Sequence, residues 1–121
     1  MKQLANKIEP QQPIITRYND AVHVLTFGSK ESSSDQRKEA IRFFGRIAER
    51  TDAVMVLGNA LADFGHVFQD DEKIEIAKAL SRAKGILGRE LANSLIFRTT
   101  KQDLSESVRQ ALQEALAELT N

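Results

Sequence analysis

A chain of 121 residues with 41% apolar and 28% charged residues has the composition of one soluble globular domain, large enough to bury a core without disulfides or a structural metal. It contains no cysteine, which excludes disulfide bonds, thiol catalysis and cysteine-based zinc sites, and its 17 basic residues are balanced by 17 acidic ones, which argues against wholesale wrapping of nucleic acid. The polar N-terminus and the lack of a long apolar segment predict a cytoplasmic protein that does not cross a membrane.

The first predicted elements are an extended arm and a β-hairpin. Residues 1–12 are polar and lead into a proline-bracketed PQQP sequence, which predicts a flexible arm. From about 14 to 27, two β-branched and aromatic runs flank Asn19 and Asp20, a pair that tolerates the backbone of a tight turn. We therefore predict a hairpin there. Both faces of its second strand carry apolar residues, so the hairpin should pack against helices, a third strand or another chain.

A helix with a basic ridge is predicted next. The serine-rich loop from Gly28 to Asp35 supplies N-cap residues for this helix, which we expect to end near Arg50. The loop lacks the spacing of a phosphate-binding Walker loop, and capping explains its serines without a ligand. Along the helix, basic residues recur at every fourth position and form one slanting ridge: Lys38, Arg42, Arg46 and Arg50. The ridge is the predicted partner-binding surface, for an acidic protein surface or for nucleic-acid phosphates, although a plain solvated face fits the same residues.

Residues from about 52 to 68 form the predicted central helix. Large apolar side chains recur at steps of three and four, and smaller ones cover much of the remaining circumference, so the helix should be buried almost all round. Only a narrow polar line is left, formed by Asn59, Asp63 and His66 and continued by Asp70 if the helix runs on. Asp63, His66 and Asp70 are the candidate ligands for a divalent metal. A strip that faces water, or a hydrogen bond between His66 and Asp63, explains these residues without a ligand, and we assign no metal or other cofactor.

Small residues occupy one side of the same helix. Gly58, Ala62 and Gly65 would let another backbone approach closely. The approaching helix belongs either to this chain or to a second copy. Together with the uncovered hairpin and the amphipathic last helix, this side favours a homodimer. A compact monomer that uses all three features internally is the alternative.

The C-terminal half is predicted to contain two helices and a short strand. One apolar stripe from about 71 to 92, which includes Leu87, predicts a continuous third helix. A helix-turn-helix fits less well, because residues 81–83 stand where a glycine and a buried apolar residue are needed. Residues 95–100 have strand-like composition and are the natural third strand beside the hairpin. Asp103 and Glu106 have the spacing of a capping box for a last, amphipathic helix.

The sequence as a whole predicts a single domain over 1–121 of the mainly α (α+β) class, with about four helices around the central helix. We expect no enzyme, because the chain lacks a nucleophile placed with a base. The predicted function is macromolecule binding of the regulator, inhibitor, immunity-factor or adaptor type, with a protein partner and as a homodimer. Two alternatives are nucleic-acid binding by the basic ridge and a metal-dependent activity at Asp63 and His66.

Overall fold

The computed structural model describes residues 18–26 and 29–120, and the regular secondary structure within them is helical. The main elements are α1 (Tyr18–Leu25), α2 (Ser34–Arg46), α3 (Thr51–Asp63), α4 (Asp70–Leu80), α5 (Ile86–Thr99) and α6 (Glu106–Thr120). Short 3-10 turns lie at Ser29–Glu31 and Gly65–Val67. The mainly α class is therefore confirmed. Within the described residues, no helix is both long and apolar enough to cross a membrane.

The helices pack in two layers. α4 lies between α2 and α6 in one layer, and α3 and α5 form the other, with α1 against α2 and α3. α2 and α4 run parallel, because ion pairs join Lys38 to Asp71 and, one turn further, Arg42 to Glu75. The connections reverse the chain between the layers, so the C-terminal ends of α2, α4 and α6 meet at one end of the molecule.

The predicted central helix is observed as α3, which is buried along most of its length. It runs parallel to α5, since Gly58 packs against Leu95 and the last residue of α3, Asp63, pairs with the end of α5. The helix ends at Asp63 rather than near residue 68. A glycine, Gly65, follows shortly after and begins a 3-10 turn, which is consistent with the low helix propensity of glycine.

The predicted β-hairpin is wrong within the described residues, where Tyr18–Leu25 forms α1. Ala21, Val24 and Leu25 are buried at positions i, i+3 and i+4, which places them on one helical face against the core. Alternation along a strand would put Val24 and Leu25 on opposite faces. Three predicted segments lie outside the described residues: 14–17 and 27 of the hairpin, and the arm 1–12.

The predicted third helix is interrupted, and its two parts are α4 and the start of α5. α4 ends at Leu80, and the chain turns over 81–85 before α5 begins at Ile86. Gly85, which precedes α5, has a φ of 78°. This left-handed conformation cannot be part of a continuous helix, and glycine adopts it without strain.

The predicted short strand at 95–100 is instead the C-terminal part of α5. Leu95, Ile96 and Thr99 are buried, and their spacing fits one face of a helix. The hydroxyl of Thr99 donates to the carbonyl of Leu95 at 2.8 Å, which satisfies a buried polar group within the helix. Burial on the helical face therefore overrides the strand-like composition.

The capping predictions are confirmed for α2 and wrong in detail for α6. The Ser33 hydroxyl accepts from the amide of Gln36, and the Gln36 side chain accepts from the amide of Ser33. α2 ends at Arg46, about one turn earlier than predicted. α6 is amphipathic as predicted, but Ser105 caps it by accepting from the amide of Val108 at 3.3 Å.

Candidate functional site

Two residues of the predicted basic ridge, Lys38 and Arg42, form ion pairs across the seam between α2 and α4. The Lys38 ammonium lies 2.6 Å from the Asp71 carboxylate, and the Arg42 guanidinium lies 3.5 Å from Glu75. The hydrogen bond from Lys38 lowers the pKa of Asp71 below its usual range. These two cations are therefore already paired in the folded chain.

Arg50, the last residue of the ridge, belongs to a cluster where α1 meets the start of α3. Its guanidinium donates to both carboxylate oxygens of Asp52, at 3.1 and 2.7 Å, and lies 5.5 Å from the centre of the Tyr18 ring. Burial and a hydrogen bond to Asp52 raise the pKa of Tyr18, whereas the bond from Arg50 lowers the pKa of Asp52. This cluster helps to dock α1 on α3.

A buried ion pair that sequence reasoning missed lies beneath the ridge. Arg37 donates to both oxygens of Glu72, at 3.0 and 3.1 Å, and Glu72 is fully buried. The Ser34 hydroxyl and the amide of Gln69 also donate to this carboxylate, and the remaining Arg37 nitrogen donates to carbonyls of the preceding loop. In sequence, Arg37 is one position off the ridge and Glu72 resembles an ordinary first-turn acid. No periodicity signals that the two residues meet.

The remaining ridge residue, Arg46, lines a groove at the end of the molecule where α2, α4 and α6 finish. The groove has a volume of about 570 Å³. Its charged lining residues come from four separate segments: Arg46, Glu49, Arg82, Lys84, Arg89 and Glu118. We call this feature the basic groove, because cations outnumber carboxylates in its lining.

The cations of the basic groove are held in different ways. The Arg46 guanidinium lies 5.9 Å from the centre of the Phe43 ring. Arg82 lies over Gly45, with its Nη1 3.0 Å from the position that a Cβ would take there. Arg89 donates to the last carbonyl groups of α6, which fastens α5 to α6.

The candidate metal ligands Asp63, His66 and Asp70 belong to three different elements. Asp63 ends α3 and pairs with Arg98 at 3.2 Å, His66 is exposed in the 3-10 turn, and Asp70 begins α4. With Asn59 half-buried on α3, the predicted polar line does not continue along one helix. Within the described residues, no three or more His, Asp or Glu side chains are grouped so that they could hold a metal ion.

Large apolar side chains are exposed on the α3 and α5 layer. The exposed fractions are 78% for Ile86, 74% for Leu87, 56% for Phe97 and 47% for Met55. Ile86 and Phe97 are eleven residues apart, about three helical turns, so they project from the same side of α5. We call Ile86, Leu87 and Phe97 the α5 apolar surface. The apolar stripe predicts Leu87 on one face of a continuous helix, whereas the break before α5 leaves Leu87 exposed.

The predicted close approach at the small-residue side occurs within the chain. A methyl group on Gly58 would lie 2.2 Å from Cδ1 and 2.8 Å from Cβ of Leu95. The carbonyl of Ala62 accepts from the side-chain amide of Gln102 at 2.8 Å, and Gly65 lies beside the same side chain. This side therefore packs against α5 and the turn after α5, and a homodimer must use another surface.

Comparisons of the chain with protein-family models, with curated proteins and with solved structures give no match. Two surfaces stand out from geometry alone. They are the α5 apolar surface on one layer and the basic groove at the end of the other.

Proposed function

We propose that this chain is a small non-enzymatic protein that acts by binding another protein, in the manner of a regulator, inhibitor, immunity factor or adaptor. The observation that carries the proposal is the α5 apolar surface, where three large side chains on one helix are each more than half exposed. Covering one such side chain contributes about 1.5–3 kcal/mol. A partner that covers all three removes the remaining exposed apolar surface of each side chain from water, which favours association.

The surroundings of the α5 apolar surface favour a protein as the partner. The outer side of α5 also carries exposed polar residues of both charge signs: Glu90, Ser94 and Arg98. Glu90 and Ser94 lie between Ile86 and Phe97 on the same face of the helix, so the surface combines apolar anchors with polar groups, as protein interfaces do. Polar groups of both charge signs do not attract a polyanion, so they support a protein rather than a nucleic acid at this surface.

A second copy of the chain is the partner that we propose to test first. A two-fold dimer needs one self-complementary surface, and an exposed apolar helix can pack against its own symmetry mate. The small-residue side of α3, which the sequence predicts as a dimer contact, packs against Leu95 within the chain. The α5 apolar surface is the alternative place for it.

The two other functions have less support from the geometry. Nucleic-acid binding by the ridge requires Lys38 and Arg42 to leave the carboxylates that they contact across the seam. A metal-dependent activity at Asp63 and His66 requires Asp63 to leave Arg98. Neither change is needed for a partner to cover the α5 apolar surface.

Sedimentation velocity over a wide concentration range tests the dimer, with Leu87→Glu as the variant and Ala117→Glu on α6 as the matched control. Both positions are exposed on helices, so both variants should keep the fold seen by circular dichroism. We expect a dimer for the wild type and the control, and a monomer for Leu87→Glu, because a buried unpaired carboxylate opposes association. A monomer at every concentration in all three proteins would reject the dimer.

The same three proteins then test for a different protein partner. Each is used as bait in extracts of the native host, with bound proteins identified by mass spectrometry. The proposal expects a protein that the wild type and Ala117→Glu retain and that Leu87→Glu loses. Equal retention by all three baits would contradict the assignment of the α5 apolar surface.

A further inference from the structure

Opposite charges face each other along the seam between α2 and α4, except at its C-terminal end. Besides the buried pair of Arg37 with Glu72, two ion pairs bridge the exposed part of the seam, and each joins a base of α2 to an acid of α4. One turn beyond the second pair, α2 presents Arg46, and no acid of α4 lines the groove there. The chain that follows α4 contributes Arg82 and Lys84 instead. Like charges brought together repel each other, and a bound anion would relieve that repulsion.

The basic groove carries a local excess of positive charge in a chain whose net charge is zero. Its lining contains four basic side chains, against the two carboxylates of Glu49 and Glu118. Among the described residues, Arg46, Arg82 and Lys84 form no ion pair. Their charges are therefore not neutralised by a carboxylate contact.

Three helix C-termini meet at the groove and attract its cations, but among the described residues only Arg89 of these cations is held to a helix end by hydrogen bonds. A helix C-terminus carries partial negative charge, which a nearby cation offsets. Arg89 does this for α6, because it donates to the carbonyl of Leu119 at 2.7 and 3.2 Å. Within the described part of the chain, Arg46, Arg82 and Lys84 donate no such hydrogen bond to a helix end. Their donor groups are available to a ligand.

The geometry points to the basic groove as a binding site for a ligand with two or more linked phosphate groups, such as the phosphate chain of a nucleotide or of inorganic polyphosphate. Guanidinium groups donate paired hydrogen bonds that match phosphate oxygens, and two of them, Arg46 and Arg82, reach the groove without a carboxylate partner. The volume of about 570 Å³ lies within the roughly 300–1,000 Å³ range of small-molecule sites. The excess of positive charge lies in this groove, while the neighbouring bases Lys38 and Arg42 of α2 are paired with acids, which favours a small ligand over nucleic acid. The site is separate from the proposed protein-binding surface.

Isothermal titration calorimetry with inorganic triphosphate at low ionic strength tests the site. Arg46→Gln and Arg82→Gln each remove one groove cation, and Arg98→Gln removes an exposed arginine from α5 on the other layer as the matched control. We expect wild-type binding, about tenfold or greater weakening in each groove variant, and no change in the control, because hydrogen bonds between charged groups are the strong ones. Arg89 is left intact, since it fastens α6.

Parallel titrations with adenosine triphosphate and with a single-stranded oligonucleotide show which class of phosphate ligand the basic groove prefers. Equal or tighter binding of the nucleotide, with the same loss in Arg46→Gln, supports the proposal and shows whether the nucleoside contributes. Three results overturn it: no binding of either phosphate ligand, equal weakening in the Arg98→Gln control, or groove-dependent binding of the oligonucleotide much tighter than that of triphosphate. Backbone amide shifts in nuclear magnetic resonance, expected at Gly45 and Ala83, locate the ligand directly.

Discussion

Replacing Gly58 with alanine tests the packing of α3 on α5. The added methyl would lie 2.2 Å from Cδ1, 2.8 Å from Cβ and 2.9 Å from Cγ of Leu95. The two outer atoms can move by a rotamer change, but the Cβ is fixed to the backbone of α5. The two helices must therefore separate by several tenths of an ångström, and overpacking of this kind costs about 1–3 kcal/mol or more. Alanine has a higher helix propensity than glycine, which offsets at most about 1 kcal/mol of the overpacking cost.

The assay is urea denaturation followed by far-ultraviolet circular dichroism. The net loss is then up to about 2 kcal/mol, which lowers the urea midpoint by up to about 1 M when the slope is near 2 kcal/mol per molar. Gly88→Ala on α5 is the matched control, because nothing lies within 4 Å of the position that its Cβ would take. This control should gain up to about 1 kcal/mol from propensity alone.

A double-mutant cycle separates the contact with Leu95 from other effects. In the Leu95→Ala background the Cδ1 and Cγ contacts are gone, so Gly58→Ala should cost less there than in the wild type. A Gly58→Ala protein as stable as Gly88→Ala would refute the close approach of α3 and α5, whereas an equal cost in both backgrounds would assign the cost to the Cβ of Leu95, which Leu95→Ala keeps.

Two further predictions concern buried and aromatic groups. Arg37→Met leaves the buried carboxylate of Glu72 without its cation and should cost about 3–5 kcal/mol in urea denaturation, whereas Arg37→Met with Glu72→Leu should recover most of that loss. A single variant as stable as the wild type would contradict the buried pair. Tyr18 is the only tyrosine, so its ultraviolet absorbance titration should report a pKa above the ordinary value of about 10, and Asp52→Asn should lower it. Because the folded pKa is raised, the stability that this group contributes is present below about pH 10 and is lost as the pH rises through the folded pKa. An ordinary Tyr18 pKa in both the wild type and Asp52→Asn would contradict the contact between Tyr18 and Asp52.

The parts of the fold that the sequence predicted are those with local signals. Ser33 caps α2 because a hydroxyl before an apolar stripe satisfies the free amides of a first turn. α3 is buried because its apolar residues cover most of its circumference. The β-branched composition of α1 and of the end of α5 predicts strands. This composition is only a weak preference, and in α1 the burial of Val24 and Leu25 on one helical face overrides it. The break at Gly85 left no signal beyond the glycine itself.

The candidate surfaces were harder to predict, because they join residues that are distant in sequence. Arg46 was found by its four-residue spacing, but Arg82 and Lys84 meet it only because α2 and α4 run parallel and end together. Leu87 belongs to the apolar stripe of the predicted continuous helix, but the break at Gly85 leaves its side chain exposed. The pairing of Lys38 and Arg42 with acids likewise depends on the register of α2 on α4.

The exposed charges allow more than one register of α2 on α4, whereas the buried pair of Arg37 with Glu72 allows only one. Bases on α2 and acids on α4 both recur every fourth residue, so a slip of α2 by one turn would still bring Arg42 to Asp71 and Arg46 to Glu75. The same slip would place Ile41, instead of Arg37, against the buried carboxylate of Glu72. The buried pair of Arg37 with Glu72 therefore specifies a single alignment of α2 and α4. A chain with this pair replaced by apolar residues can keep its stability and still lose that alignment, which a second set of amide resonances would reveal.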